Sequence, residues 1–120
     1  MKVRLIKSFT FDAAHELPCF GPEHKCARLH GHTFRIDVIL EGPLPEGQDY
    51  LTDFGDISAA VEPLRKQLDH NLLNEATGLA SPTSERLAVW LWQRLKPALP
   101  LLSMIRIHET PTCICEYEGA

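Results

Sequence analysis

Three histidines and one cysteine in the first third of the chain could together do chemistry: His15, Cys26, His30 and His32. His30 and His32 are separated by one residue, so in a strand both imidazoles point to the same face. Together with His15 they could hold one metal ion. Three neutral imidazoles leave one tetrahedral position open, which is typical of catalytic zinc. The pattern therefore predicts a zinc site, and the alternative is a set of core histidines bonded to backbone carbonyls.

Cys26 lies four residues before His30, next to Lys25 and close to Arg28. The two cations would favour the thiolate, which is the reactive form of cysteine. Cysteine is also among the residues that are most often simply buried. From the sequence alone, a chemical and a structural role are therefore equally open for Cys26. The remaining cysteines have no such neighbours and are predicted to be structural: Cys19, Cys113 and Cys115.

Two acidic positions could also take part in chemistry. Asp69 and His70 are adjacent at a predicted helix end, and neighbours on a helix do not usually bond each other. The simpler interpretation is therefore a histidine stabilised by the helix dipole, although a carboxylate that orients an imidazole base is a recurring catalytic arrangement. Glu109 shares a strand phase with Ile105 and Ile107, so it lies either at a solvated strand end or against a cationic or N–H-rich ligand. His108 would then face the opposite side, on the surface.

Two predicted strands position the histidines. Apolar residues occupy odd positions over Val3–His15, with Lys7 as an exception, and even positions over His30–Leu40, with Ile39 as an exception. This alternation is typical of strands with one buried face. Both strands place histidine at one end of that face. Gly31 faces the other way, where the missing side chain permits a close backbone approach.

Two amphipathic helices are predicted in the second half of the chain. The first runs from Ile57 to about Leu68, ends near Asp69-His70, and is kinked at Pro63. The second begins at Ser81-Pro82-Thr83-Ser84-Glu85 and ends before Pro97. Ser81 can cap it and Pro82 suits its first position, so Thr83 and Ser84 are most simply helix-start residues.

Further strands are predicted at Tyr50–Phe54, Leu102–Thr110 and Cys113–Tyr117. Taking the Tyr50–Phe54 segment as minor, the order β-β-α-α-β-β predicts an α+β fold, with helices on one side of an antiparallel sheet. Such a sheet leaves two open edges, which proteins usually cover or close into barrels. We therefore expect a homo-oligomer built from a single domain, residues 1–120.

The bulk composition narrows the class of protein. The chain has 120 residues, of which 44% are hydrophobic and 23% charged, as in an ordinary domain with one hydrophobic core. A net charge of −4 argues against a nucleic-acid partner, and no apolar run suits a membrane partner. The first residues are too few and too charged for a secretory signal, so we expect a cytoplasmic protein with reduced thiols.

With these residues assembled, the chain resembles the 6-pyruvoyl-tetrahydropterin synthase superfamily along nearly its whole length. The resemblance is carried by five segments: Phe9–His15, His24–His32, Leu68–Asn74, Pro82–Glu85 and Glu109-Thr110. The three residues between the cysteine and the next histidine are similar to the bacterial 6-carboxy-tetrahydropterin branch, which belongs to queuosine biosynthesis. Pyruvoyl synthases typically have a longer insertion there.

The resemblance implies a T-fold (tunnelling fold), whose subunits form trimeric barrels that stack into hexamers with active sites between subunits. It implies one Zn²⁺ per subunit and a small-molecule pterin triphosphate as substrate. A pyruvoyl synthase, or a non-catalytic zinc- or pterin-binding oligomer, stays open as an alternative. It also implies a role for each site residue. His15, His30 and His32 would bind the zinc ion, Cys26 would be the general base, and Asp69 and His70 would form an acid–base pair. Glu109 would anchor the pterin and take part in the proton relay, and Thr83 and Ser84 would make further contacts with the pterin.

Overall fold

One four-stranded antiparallel sheet, in the order β1-β2-β3-β4, forms the body of the molecule. The computed structural model describes residues 1–120. The strands are β1 (Lys2–His15), β2 (His30–Pro43), β3 (Leu102–Thr110) and β4 (Cys113–Tyr117), and the helices are α1 (Phe54–Leu68), α2 (Leu73–Thr77) and α3 (Ser84–Leu95). Two short 3-10 segments, Pro18–Phe20 and Lys25–Ala27, lie between β1 and β2. The predicted α+β class is confirmed, and none of the helices is long and apolar enough to cross a membrane.

Strand alternation places the histidines as the sequence predicted. In the β1–β2 pair, His15 lies opposite His30 and Ala13 lies opposite His32. The same faces carry the hydrophobic core, which the helices cover. A Cβ atom added to Gly31 would lie 3.2 Å from the carbonyl oxygen of Ala13, so the predicted close backbone approach is confirmed.

The helices begin at different residues from those predicted. Asp53 caps α1, because its Oδ1 accepts a hydrogen bond of 2.7 Å from the backbone N–H of Gly55. The predicted strand at Tyr50–Phe54 is therefore wrong: the segment is a turn that leads into the cap. Thr83, not Ser81, caps α3, since its hydroxyl accepts from the backbone N–H of Arg86 at 3.2 Å.

One short helix was not captured by the sequence pattern. Helix α2 has only five residues, Leu73–Thr77, and ends at Gly78 in the left-handed conformation (φ 75°). One turn is too short to show a helical period, although it buries Leu73 completely. Helix α1 includes Pro63 in its interior, as the predicted helix does.

The helix-free face of the sheet carries a buried carboxylate that ties three strands together. Asp37 is fully buried and accepts hydrogen bonds from Ser8 (2.6 Å), Arg35 (3.1 Å), Arg106 (3.3 Å) and the Nε2–H of His108 (2.9 Å). Burial alone would raise the pKa of Asp37, but the hydrogen bonds from Ser8, His108 and Arg106 outweigh it and lower the pKa to about 2. His108 does face away from the core, but the prediction that it is a surface residue is wrong.

Candidate functional site

The three predicted zinc ligands converge at the closed end of the β1–β2 pair. His15 is fully buried, and His30 and His32 are partly buried. The ring centroid of His15 lies 4.5 Å from that of His30 and 5.2 Å from that of His32. One nitrogen of each ring lies within 4.8 Å of the others, so a single ion could contact all three.

Hydrogen bonds to backbone carbonyls fix the orientation of two of these rings. The Nδ1 of His15 lies 3.1 Å from the Pro82 oxygen, and the Nδ1 of His30 lies 2.7 Å from the Arg28 oxygen. A carbonyl can only accept, so each Nδ1 carries a proton, and in the neutral ring each Nε2 keeps a lone pair. This is the outer-shell arrangement that orients metal-binding imidazoles.

The remaining ring nitrogens favour a metal site over a purely structural cluster. The Nε2 atoms of His15 and His32 are buried and make no hydrogen bond, although that of His32 lies 3.3 Å from the Oε1 of Glu109. Leaving such atoms unpaired is costly, and a cation among them would satisfy both. Burial, as the largest cause, lowers the pKa of His15, and the neighbouring His30 lowers it further, although the hydrogen bond to Pro82 raises it. The neutral imidazole that results is the form that zinc requires, so the residues fit this ion.

Glu109 lies beside the histidines on the core face of β3, as its strand phase predicted. Its Oε1 is 3.3 Å from the Nε2 of His32, and its Oε2 accepts a hydrogen bond of 3.0 Å from the hydroxyl of Ser84. Ser84 is 9% exposed, so this bond is largely shielded from water. The residue pattern does not reveal the Ser84–Glu109 contact, because the two residues are 25 positions apart and the type and place of Ser84 predict only a helix start. The hydroxyl of Thr83 is used by the helix cap and makes no contact with Glu109.

Cys26 shares a depression with the histidines and the carboxylate. This depression has a volume of about 400 Å³, and Lys25, Cys26, His30, His32 and Glu109 contribute to its wall. Cys26 is half-buried in the 3-10 segment that leads into β2. The fold thus brings a thiol, two candidate metal ligands and a carboxylate to one concave surface, where proton transfer near a metal ion is possible.

Asp69 and His70 form a hydrogen-bonded pair, contrary to the simpler interpretation from the sequence. Helix α1 ends at Leu68, and His70 adopts a left-handed backbone (φ 58°), so the two side chains are no longer neighbours on a helix. The Nδ1 of His70 lies 3.0 Å from the Oδ1 of Asp69. The pKa of Asp69 is lowered, chiefly by the hydrogen bond from the backbone N–H of Asp12 and also by His70 and Arg65. A carboxylate that stays ionised can hold an imidazole in one orientation.

The imidazole partner of this pair, His70, lines a second depression beside the outer edge of β1. The backbone N–H of His70 donates to the carbonyl of Asp12, and residues up to Leu72 follow the strand edge. The second depression measures about 590 Å³, and its wall includes His32 and His70 but neither Cys26 nor Glu109. Within one chain, the structure therefore groups the thiol with two candidate metal ligands, His30 and His32, and places His70 at an adjacent depression.

Comparison with known proteins identifies the family. The family model described as 6-pyruvoyl tetrahydropterin synthase matches residues 4–120. The chain belongs to this family. The pterin synthase family relatives include a 6-carboxy-5,6,7,8-tetrahydropterin synthase from Synechocystis, which is 40% identical over 119 residues, covering 94% of this chain and 91% of the relative. A dihydroneopterin monophosphate aldolase from Pyrococcus furiosus is 37% identical, covering 83% of this chain and 81% of the relative.

A solved structure of the same family shows the same fold. The 6-pyruvoyl tetrahydropterin synthase of Caenorhabditis elegans superimposes with a TM-score of 0.88 at 24% identity, covering 100% of this chain and 97% of the other. At this identity the likeness concerns the fold alone. It confirms the T-fold that the sequence resemblance implied.

Proposed function

We propose that this chain is a zinc-dependent 6-carboxy-5,6,7,8-tetrahydropterin synthase, a carbon–carbon lyase of queuosine and 7-deazapurine biosynthesis. It would convert 7,8-dihydroneopterin triphosphate and one water molecule into 6-carboxytetrahydropterin, acetaldehyde and triphosphate. The observation that carries the proposal is the shared depression of Cys26, His30, His32 and Glu109. The relative with this name, 40% identical over most of both chains, supports the choice of reaction.

His15, His30 and His32 would hold the zinc ion through their Nε2 atoms. Two of these atoms, those of His15 and His32, are buried and make no hydrogen bond, which is the observation that fits the group. A bound zinc ion supplies Lewis-acid polarisation of the hydroxyl groups on the substrate side chain. The protein's own contribution is to lower the pKa of His15 through burial and to aim the three imidazoles at one point.

Glu109 is proposed to anchor the pterin ring. An ionised carboxylate accepts hydrogen bonds, and the pterin offers an amino group and a ring N–H as donors. Ser84 holds the Oε2 of Glu109 at 3.0 Å, so the carboxylate is oriented before the substrate arrives. Thr83 and Ser84, at the start of α3, are proposed to contact the same ring through their backbone.

Cys26 is proposed as the general base. Its thiolate would remove a proton from the side-chain carbon of the substrate, next to the polarised hydroxyl group. Lys25 contributes to the wall of the same depression and places a cation beside the thiol. A base of this kind typically accelerates a reaction by about 10²–10⁴-fold.

Asp69 and His70 are proposed to return a proton during the internal redox transfer, with Asp69 orienting the imidazole. Because the depression lined by His70 is not that of Cys26, we propose that the working enzyme is a homohexamer, arranged as a dimer of trimers with sites between subunits. The edges at β1 and β4 are the two ends of the sheet order, where neighbouring sheets could join. A reducing cytoplasm would keep the Cys26 thiol free.

The experiment that tests the reaction is identification of the product. The zinc-loaded protein is incubated with 7,8-dihydroneopterin triphosphate, and the pterin products are separated and weighed by mass spectrometry. The proposal predicts 6-carboxytetrahydropterin. A pyruvoyl-tetrahydropterin product would indicate triphosphate elimination alone. A pterin whose side chain is cleaved by aldol chemistry would point to the activity named for the Pyrococcus furiosus relative. Unchanged substrate would support a binding protein. Each of the last three results contradicts the proposal.

A further inference from the structure

The imidazole of His24 holds the backbone beside Cys26. The backbone N–H of Cys26 donates a hydrogen bond of 3.0 Å to the Nδ1 of His24, two residues earlier. Because Nδ1 accepts this bond, it carries no proton, and the ring proton is on Nε2. This is the geometry by which asparagine and aspartate side chains close local turns, here made by a histidine.

The carbonyl of Cys26 is held as well. It accepts a hydrogen bond of 3.0 Å from the backbone N–H of Leu17, which lies two residues after the end of β1. Leu17 is 4% exposed and is therefore a firm anchor. Both backbone polar groups of Cys26 are therefore hydrogen-bonded: the carbonyl to the backbone of Leu17, and the N–H to the side chain of His24. Only the hydrogen bond to His24 depends on the identity of a side chain.

A stacked aromatic neighbour keeps the His24 ring in place. The ring centroids of His24 and Phe20 are 4.7 Å apart, with an angle of 23° between the planes. Phe20 is 49% exposed, so this pair lies at the surface and gains little from burial. Its effect is to restrict rotation of the imidazole, which keeps Nδ1 directed at the Cys26 N–H.

We infer that His24 is a positioning residue for the Cys26 thiol. The inference rests on the proposed function, in which Cys26 is the general base. Without the acceptor at position 24, the N–H of Cys26 turns to water and the 3-10 segment loses its cap. The thiol then samples positions away from the depression it shares with His32 and Glu109. A displacement of about 1 Å at a reacting group can cost on the order of 10²-fold in rate.

Two substitutions separate the acceptor from the ring. His24→Phe keeps a flat ring that can stack on Phe20 but has a carbon in place of Nδ1. His24→Asn removes the ring but places its Oδ1 at the same distance along the side chain as Nδ1, so it can accept the same bond. We expect His24→Phe to lower kcat about tenfold or more, with KM and zinc content unchanged, and His24→Asn to stay within about threefold of the wild type.

A second measurement does not depend on turnover. The rate at which iodoacetamide alkylates Cys26, followed by peptide mass spectrometry, should change at least severalfold in His24→Phe and return towards the wild-type rate in His24→Asn. Equal alkylation rates and equal kcat in the wild type and His24→Phe would overturn the inference, as would an Asn variant as impaired as the Phe variant. If the wild type does not turn over the pterin triphosphate but the alkylation pattern holds, the proposed function fails while the positioning role stands.

Discussion

Asp37 should stabilise the fold through its charge, and its replacement by asparagine tests this directly. The pKa of Asp37 is lowered from 3.8 to about 2. One pKa unit corresponds to about 1.4 kcal/mol of preference for the charged form in the folded state, so the shift amounts to about 2 kcal/mol. Asp37→Asn keeps the size of the side chain but removes the charge that faces Arg35, Arg106 and His108. We expect it to lower the free energy of unfolding by about 2 kcal/mol at pH 7.

The sign of the pH dependence follows from the direction of this shift. A carboxyl group with a lowered pKa in the folded state binds its proton more readily when unfolded. Its contribution is therefore complete above about pH 4 and is lost as the pH falls towards 2. The difference in unfolding free energy between the wild type and Asp37→Asn should shrink over this range, to the small remainder that a neutral side chain contributes.

Urea unfolding followed by circular dichroism, at one fixed protein concentration and several pH values, measures this difference. Glu116→Gln is the matched control, because Glu116 also accepts from Arg106, at 2.8 Å, but its side chain is 48% exposed. An exposed pair of this kind contributes about 0–1 kcal/mol. A difference between wild type and Asp37→Asn that is constant from pH 7 to pH 2, or no larger than that of the control, would refute the reasoning.

Three further substitutions test the candidate site. His32→Ala should lose most of its zinc, measured by atomic emission on the purified protein, because it removes one of the three converging imidazole nitrogens, whereas His108→Gln should keep its metal. Ser84→Ala should raise the KM for the pterin triphosphate about two- to tenfold in steady-state assays, because Glu109 loses one oriented hydrogen bond. Its zinc content should be unchanged. An unchanged KM would show that Ser84 does not help to position the substrate. Asp69→Asn should lower kcat by about 10²-fold or more while KM changes little, and a wild-type rate would exclude the pair from the reaction.

The strand pattern was enough to predict the histidine cluster. A strand has a period of two, so the phase of apolar residues decides which face each histidine occupies, and the β1–β2 register brings His15 opposite His30. Glu109 followed from the same argument on β3. These predictions concern residues whose position depends on local geometry alone.

The features that the sequence did not reveal depend on a boundary or on a distant partner. The side chains of Asp69 and His70 bond each other because α1 ends at Leu68, one residue before Asp69. If the helix continued through this pair, the two side chains would point in different directions, and the sequence pattern does not locate a helix end to one residue. Asp37 is an odd-numbered residue of β2, opposite in phase to the core residues, so the pattern alone predicts a polar outward position. It is buried because long side chains from other strand positions close over it, a contact that no local pattern encodes.

The helix starts were missed for a related reason. Ser81, Thr83 and Ser84 are all suitable caps by residue type, so the choice depends on which backbone is extended in the folded loop. The structure assigns the cap to Thr83 and leaves Ser84 free to bond Glu109. A residue that the sequence placed in a helix start thereby enters the candidate site.

The most direct test of the proposed reaction is acetaldehyde release by two proteins that carry the same metal. Wild type and Cys26→Ala are each loaded with one zinc ion per chain, incubated with 7,8-dihydroneopterin triphosphate, and assayed for acetaldehyde and triphosphate. The wild type should release both in equal amounts with 6-carboxytetrahydropterin, and Cys26→Ala should be slower by about 10²-fold or more. Absence of acetaldehyde from the wild type, or a wild-type rate in zinc-loaded Cys26→Ala, would contradict the account.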